Sequence, residues 1–173
     1  MKKLNLGCGK DIRVDYINMD IVPNKGVDVV HNMEKMPYPF PNNYFDEIVS
    51  IHALEHTSNF IEIMNEIHRI SKYGCIIKIE VPYFPSITSF STPDHRSFFS
   101  TRSFNYFRYN HQQHFIAGAT FEILNLRLYF TRRRLFLSKI IEYFVNNMVN
   151  IYERFFCFIF PMQEIHYKLK VIK

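Results

Sequence analysis

Tryptophan is absent, and glycine, cysteine and proline are scarce: 5 Gly, 3 Cys and 8 Pro in 173 residues. So little glycine and proline excludes collagen-like and low-complexity chains. The cysteines, Cys8, Cys75 and Cys157, are odd in number and far apart, so they do not build a disulfide framework. A reducing compartment is the simpler reading, and the cytoplasm is the expected location. No apolar run approaches the ~20 residues that span a bilayer, and the first residues lack the apolar stretch of a signal peptide. Neither sign of charge dominates. The 21 Lys+Arg and 16 Asp+Glu leave +5, which permits an anionic partner without requiring one. Apolar matter is abundant, 47% of residues, with 18 Phe and 11 Tyr, and this excludes wholesale disorder. The length fits a single domain over residues 1–173.

Composition shifts once, near residue 95, dividing the chain into 1–94 and 95–173. Short apolar runs at 3–6, 16–20, 27–31, 45–51 and 75–81 read as strands, and prolines 37, 39 and 41 forbid regular structure between the third and fourth. Residues 58–71 repeat their apolar positions (Phe60, Ile61, Ile63, Met64, Ile67, Ile70) with a helical period, and Tyr73-Gly74 is the expected stop. Buried strands joined by a crossover helix imply an α/β layer fold with a mostly parallel sheet. Beyond residue 95 the pattern predicts a short helix at 101–107, a strand at 121–130, and one long helix after Arg132-Arg133-Arg134 that Pro161 stops. A half-exposed strand follows at 165–172. The last two strands, around a helical insertion near 132–160, form an antiparallel edge.

Leu4-Asn5-Leu6-Gly7-Cys8-Gly9 ends the first strand in glycines, and Asp20 ends the second. Glycine lets a backbone approach a ligand closely, and an acid at that position can accept bonds from ribose hydroxyls at the switch point of a doubly wound sheet. With Tyr16-Ile17-Asn18-Met19-Asp20, Pro37-Tyr38-Pro39-Phe40-Pro41-Asn42-Asn43-Tyr44-Phe45-Asp46, Ile51-His52-Ala53-Leu54-Glu55-His56 and Glu66-Ile67-His68-Arg69-Ile70-Ser71-Lys72-Tyr73-Gly74-Cys75, the chain resembles the small class I S-adenosylmethionine-dependent methyltransferases of the type 11 branch. The resemblance covers residues 3–82. It implies a Rossmann-like, doubly wound sheet of about seven strands, with 1–94 as the cofactor-binding half and 95–173 on the substrate side. It implies S-adenosylmethionine as cofactor, bordered by Leu6, Gly7, Cys8 and Gly9 at the methionine part, Asp20 and Ile21 at the ribose, Asn32 and Met33 at the adenine, and Ile51 and His52 after the fourth strand. Ten residues separate Gly9 from Asp20, too few for a helix and two turns, so the first crossover is expected to be a loop. That shortening resembles a compact subset of the family associated with glycan-modifying genes.

His52-Ala53-Leu54-Glu55-His56 has the H-x-x-E-H spacing of one zinc peptidase class, which needs the motif on a helix. Similar E-x-x-E-H segments bind a divalent metal in some methyltransferases. Here His52 replaces the first Glu and the sequence offers no evident fourth ligand, so a metal-free site is expected, with Glu55 and His56 capping the next helix. Asp94-His95-Arg96 falls where the resemblance puts the substrate side. His95, whose ordinary pKa lies near neutrality, is the first candidate for the base, His52 the second, and His111 and His114 are weaker ones. Tyr83, Phe84 and Phe90 are candidates for lining the methyl position.

The expected activity is O-methylation of a sugar, glycan or other small hydroxyl acceptor. The rival readings are a cofactor-binding module without turnover and a membrane-peripheral modifier of lipid-linked acceptors. The broad apolar stripe over 132–160 must bury against something: the chain's own sheet, a second copy in a homodimer, or a lipid surface. Nucleic acid is the weakest partner reading, because the basic residues are not interleaved with stacking aromatics.

Overall fold

The computed structural model describes residues 1–112, 114–131 and 136–173, and the run Arg132-Arg133-Arg134 lies outside the described residues. Seven strands form one sheet: β1 (Lys3–Leu6), β2 (Ile17–Asp20), β3 (Val29–Val30), β4 (Phe45–Ile51), β5 (Ser71–Pro82), β6 (Thr120–Tyr129) and β7 (Glu164–Ile172). Their order is β3-β2-β1-β4-β5-β7-β6. The first five pair in parallel, and β7 runs antiparallel between β5 and β6. This is the doubly wound, mostly parallel sheet with an antiparallel edge that the sequence implies. Chain order reverses direction between β1 and β4, where such sheets bind ligands beyond their strand ends.

The β1–β2 connection is a loop, as its length requires. Two strand asparagines inside the sheet hold it. Buried Asn5 donates through Nδ2 to the Asp11 carbonyl (2.6 Å) and to Asn18 Oδ1 (3.0 Å). Buried Asn18 accepts from the Arg13 N–H and donates through Nδ2 to the Arg13 and Tyr16 carbonyls. Side-chain amides thus replace the backbone bonds that a crossover helix would make internally.

Helix α1 (Phe60–Ile70) follows a 3-10 turn over Leu54–His56. It buries Ile63, Met64, Ile67 and Ile70, each contributing about 1.5–3 kcal/mol of transfer free energy. The expected stop at Tyr73-Gly74 is corrected. The helix ends at Ile70, where the Ser71 hydroxyl donates to the Ile67 carbonyl (2.7 Å), and β5 begins at once. Gly74, at φ +78°, instead serves an irregularity inside β5, where pairing with β4 jumps from Phe45–Ser71 to Glu47–Ile76.

Short helices α2 (Ile87–Phe90) and α3 (His114–Ala117) and a 3-10 turn at Ser103–Phe107 fill the connection from β5 to β6. The insertion between β6 and β7 is two helices rather than one, α4 (Phe136–Asn147) and α5 (Val149–Phe155). Met148, at φ −127° and ψ 36°, breaks them apart, and α5 ends well before Pro161. Asn146 docks α4 on the edge strand, accepting from the Leu128 N–H (2.8 Å) and donating to its carbonyl (2.9 Å). That covers an edge which would otherwise invite another strand. Among the described residues no helix is long and apolar enough to cross a membrane.

Candidate active site

A cleft of about 390 Å³ opens beyond the carboxyl ends of β1, β2 and β4. Its lining includes Gly7, Gly9, Asp20, Ile21, Asn32, Met33 and His52, together with Ala53, His56, Asp94 and Arg96. Seven of the ten positions expected to border the cofactor therefore share one wall. The other three stand behind it or beside it. Leu6 and Cys8 are buried, and Ile51 faces the next cavity.

The glycine turn follows from close packing. The Gly7 and Cys8 N–H groups both donate to the Met19 carbonyl, folding the chain back over β2. A Cβ on Gly7 would come within 2.4 Å of Ala53 Cβ and 2.8 Å of Met33 Cε, whereas one on Gly9 would meet nothing within 4 Å. Gly7 thus serves packing, and Gly9 keeps the cleft open. Asp20 sets the turn with both oxygens: Oδ2 accepts from the Gly9 N–H (2.8 Å) and Oδ1 from the Val22 N–H (2.9 Å). Each oxygen has a second lone pair to offer a ligand. Burial and then the Asp20 charge push the Cys8 thiol up, so it stays neutral.

His52 follows β4 in the left-handed region, at φ 49°. Its ring lies between two buried carboxylates, Nδ1 3.2 Å from Glu55 Oε1 and Nε2 3.2 Å from Glu164 Oε1. Burial alone would disfavour the charged ring, but the hydrogen bonds it donates to Glu164 and Glu55 outweigh it and raise the pKa to about 9. At neutral pH His52 is an imidazolium with both nitrogens engaged, so it holds charge rather than accepting a proton.

The motif around His52 occupies a strand end and a 3-10 turn rather than a regular helix, which removes the peptidase geometry. Neither Glu55 nor His56 caps α1: Asn59 holds that position, without a side-chain cap bond. Instead the Glu55 carbonyl accepts from the Arg96 (2.7 Å) and Ser97 (3.0 Å) N–H groups and anchors the loop carrying His95. Arg96 crosses to Glu34 (3.8 Å) on the opposite lip. His95 directs Nδ1 at the Ser89 carbonyl (2.9 Å) and packs edge-on against His56, the ring centres 4.8 Å apart.

A second cavity of about 310 Å³, lined by Ile51, His52, Glu80, Tyr129, Thr131, Glu164 and His166, shares His52 with the first. Glu164 was hidden from sequence reasoning, because nothing in its spacing ties the start of β7 to the end of β4. Other expectations separate from the cleft. Tyr83 is fully buried core, and Phe90 is exposed and stacks on Phe98. His111 packs on Tyr106 instead, and the side chain of His114 lies outside the described residues.

Residues 4–79 match the family model described as a methyltransferase domain. No curated protein matches the sequence. The fold is similar to a SAM-dependent methyltransferase from Archaeoglobus fulgidus, at 18% identity over 98% of this chain and 85% of that one, with a TM-score of 0.63. It is also similar to a putative methyltransferase from Haloferax volcanii, solved with the Trm112 activator, at 14% identity, 98% and 81% coverage and a TM-score of 0.60. A possible histamine N-methyltransferase from Thermotoga maritima matches at 13% identity, 99% and 82% coverage and a TM-score of 0.60. At these identities the solved structures speak for the fold, and the family model for the cofactor half. Together they give residues 4–79 a methyltransferase domain and the whole chain the fold of S-adenosylmethionine-dependent methyltransferases, which makes S-adenosylmethionine the cofactor that the cleft has to fit. The cleft fits that group: its volume is in the usual range for small-ligand sites, Gly9 leaves it open, and Asp20 offers it a carboxylate.

Proposed function

We propose that this enzyme methylates a hydroxyl oxygen of a small polar acceptor, a sugar or glycan first among them, with the acceptor entering beside His52 and His95. The bound cofactor supplies an electrophilic methyl group. The protein's part is to hold the acceptor oxygen in line and to help remove its proton. Gly7, Gly9, Asp20, Ile21, Asn32 and Met33 are the residues assigned to the cofactor, with Leu6, Cys8 and Ile51 supporting them from behind. The observation that carries the acceptor assignment is the junction at His52. One ring borders both the cofactor cleft and a cavity rich in carboxylates and a phenol, groups suited to a polyhydroxy compound. His95 is the residue assigned to the acceptor's proton, because the Ser89 carbonyl holds its Nδ1 proton and leaves the Nε2 lone pair for chemistry. The fixed charge of His52 orients the neighbouring carboxylates.

Assembly belongs to the same reading. The exposed apolar side chains of α4, α5 and residues 156–160 take a second copy of the chain. The three buried free cysteines suit a reducing cytoplasm.

Calorimetry and turnover together test the proposal. Asp20→Ala is expected to weaken S-adenosylmethionine binding by about 1.5–3 kcal/mol, the worth of lost charge-assisted bonds. His95→Gln is expected to lower turnover of a hydroxyl acceptor ~100-fold or more with cofactor affinity intact. Tight cofactor binding without turnover on any hydroxyl acceptor would instead favour a binding module.

A further inference from the structure

A cluster that meets the cleft through His56, with Glu55 and His95 set back from its lining, has more ligand-type atoms than its contacts use. One oxygen of Glu55 and one ring nitrogen each of His56 and His95 lie within 4.8 Å of one another. Glu55 is 2% exposed. Its Oε1 is taken by His52, while its Oε2 is buried and has no hydrogen-bond partner. His56 Nδ1 is also buried. It stands 3.0 Å from Asp94 Oδ2 but makes no hydrogen bond there or elsewhere. A buried carboxylate oxygen left bare costs stability unless something positive comes to it. Both atoms belong to residues of the one cluster, and a cation there would satisfy them.

We propose that Glu55, His56 and His95 bind a divalent transition-metal ion of the Zn2+ type. The assignment rests on the methyltransferase reading of the cleft given above and changes one role in it, that of His95. Two nitrogens and one carboxylate oxygen suit Zn2+ and its neighbours rather than Mg2+ or Ca2+, which take oxygen. Two ligands already have the outer contacts that orient metal-bound side chains. The Ser89 carbonyl accepts from His95 Nδ1 and aims the Nε2 lone pair, and His52 fixes the other oxygen of Glu55. His56 and Asp94 both line the cleft. Three protein ligands leave a fourth position for a ligand from that side, as in catalytic rather than structural zinc sites. A hydroxyl there would lose its proton more readily, to solvent in the open cleft, and His95 would then serve as a ligand instead of taking the proton itself. His52 is not one of the ligands, since both its nitrogens face carboxylates. The second cluster, Glu80, Glu164 and His166, lacks the same signature, because His166 lies 3.5 Å from Glu80 and 3.2 Å from Glu164 and leaves no bare buried atom among them.

The test uses the full chain, stripped with a chelator and titrated calorimetrically with Zn2+, and with Co2+ for its visible spectrum. One ion per chain is expected, with a four-coordinate Co2+ spectrum, and Zn2+ affinity should fall at least ~100-fold in His95→Ala and in the near-isosteric Glu55→Gln. His111→Ala, away from the cleft, should bind as the parent does. Circular dichroism on each variant checks folding, and the parent titration stands even if a variant fails. S-adenosylmethionine binding is measured on the same samples. A parent that binds the cofactor but takes up no Zn2+ overturns the metal site and leaves the methyltransferase reading intact. Stoichiometric Zn2+ that persists in both ligand variants overturns it too. Zn2+ uptake without cofactor binding would support the site and remove the reading it rests on.

Discussion

Gly7 and Gly9 both have positive φ, +69° and +51°, yet substitution should harm the protein in different ways. Alanine at Gly7 drives a methyl group into Ala53 and Met33, where backbone must move, so Gly7→Ala is expected to lower stability by about 3 kcal/mol or more. Alanine at Gly9 meets no protein atom, and only the left-handed backbone penalty of about 1–2 kcal/mol applies. Its methyl group projects into open cleft, so Gly9→Ala should fold and bind S-adenosylmethionine at least ~10-fold more weakly. Urea midpoints and calorimetry on the pair check this, and equal cofactor affinity in Gly9→Ala would remove the turn from the site. The glycines and Asp20 could be read from sequence because their contacts are local or one strand away. Glu164 could not, because its meeting with His52 depends on β7 reaching the sheet from 112 positions further along. The charge state of His52 was hidden for the same reason.

Helix α1 is the element that ties the irregular segments to the sheet. Buried Glu66 accepts from the Tyr38 N–H (2.6 Å) and is paired with Arg69, pinning the proline-rich stretch beneath it. Burial pushes the Glu66 carboxyl up, but Arg69 and Tyr38 together hold it below its ordinary value. Glu66→Ala leaves the Tyr38 N–H without its partner and the Arg69 head with only Asn42 and the Tyr38 carbonyl, and is expected to cost about 2–4 kcal/mol, seen as a lower urea midpoint with the slope unchanged. His68, on the same helix, donates to the Ile172 carbonyl (2.7 Å) and packs against Phe121. Burial lowers its pKa below the ordinary value. Its folded form resists protonation while the unfolded chain takes a proton near pH ~6.5, so its contribution is intact above that pH and is lost as pH falls below it. His68→Gln, which can keep the bond to Ile172, should flatten the decline in stability between about pH 7 and pH 5, and an unchanged slope would discount His68. The periodic face of α1 was plain in the sequence. The helix end was not, because the Ser71 hydroxyl stops it four residues before the glycine that usually marks such an end.

Across the whole molecule, the apolar side chains divide unevenly. The core takes Tyr152 and Cys157, but Phe155, Phe158, Ile159 and Phe160 stand exposed, as do Tyr143 and Phe144. Exposed apolar side chains in this number suit an interface. Light scattering at micromolar concentration is expected to give a dimer, and Phe158→Ser with Phe160→Ser a folded monomer. A parent that stays monomeric and pelleted with anionic vesicles would assign the face to lipid. The sequence carried the stripe but not its break at Met148, since nothing in the apolar period marks where one helix becomes two. The sheet order has a consequence in time. β5 is complete at Pro82, but the strand that covers its far side begins at Glu164. At ~5–20 residues per second, synthesis leaves Ile77, Ile79 and Val81 on a bare edge for roughly 4–16 s. The seam between the parallel strands and the antiparallel edge is therefore the last part to close. Such distant pairing makes folding slow for a chain of this size, and in the interval the bare edge is open to pairing with another strand.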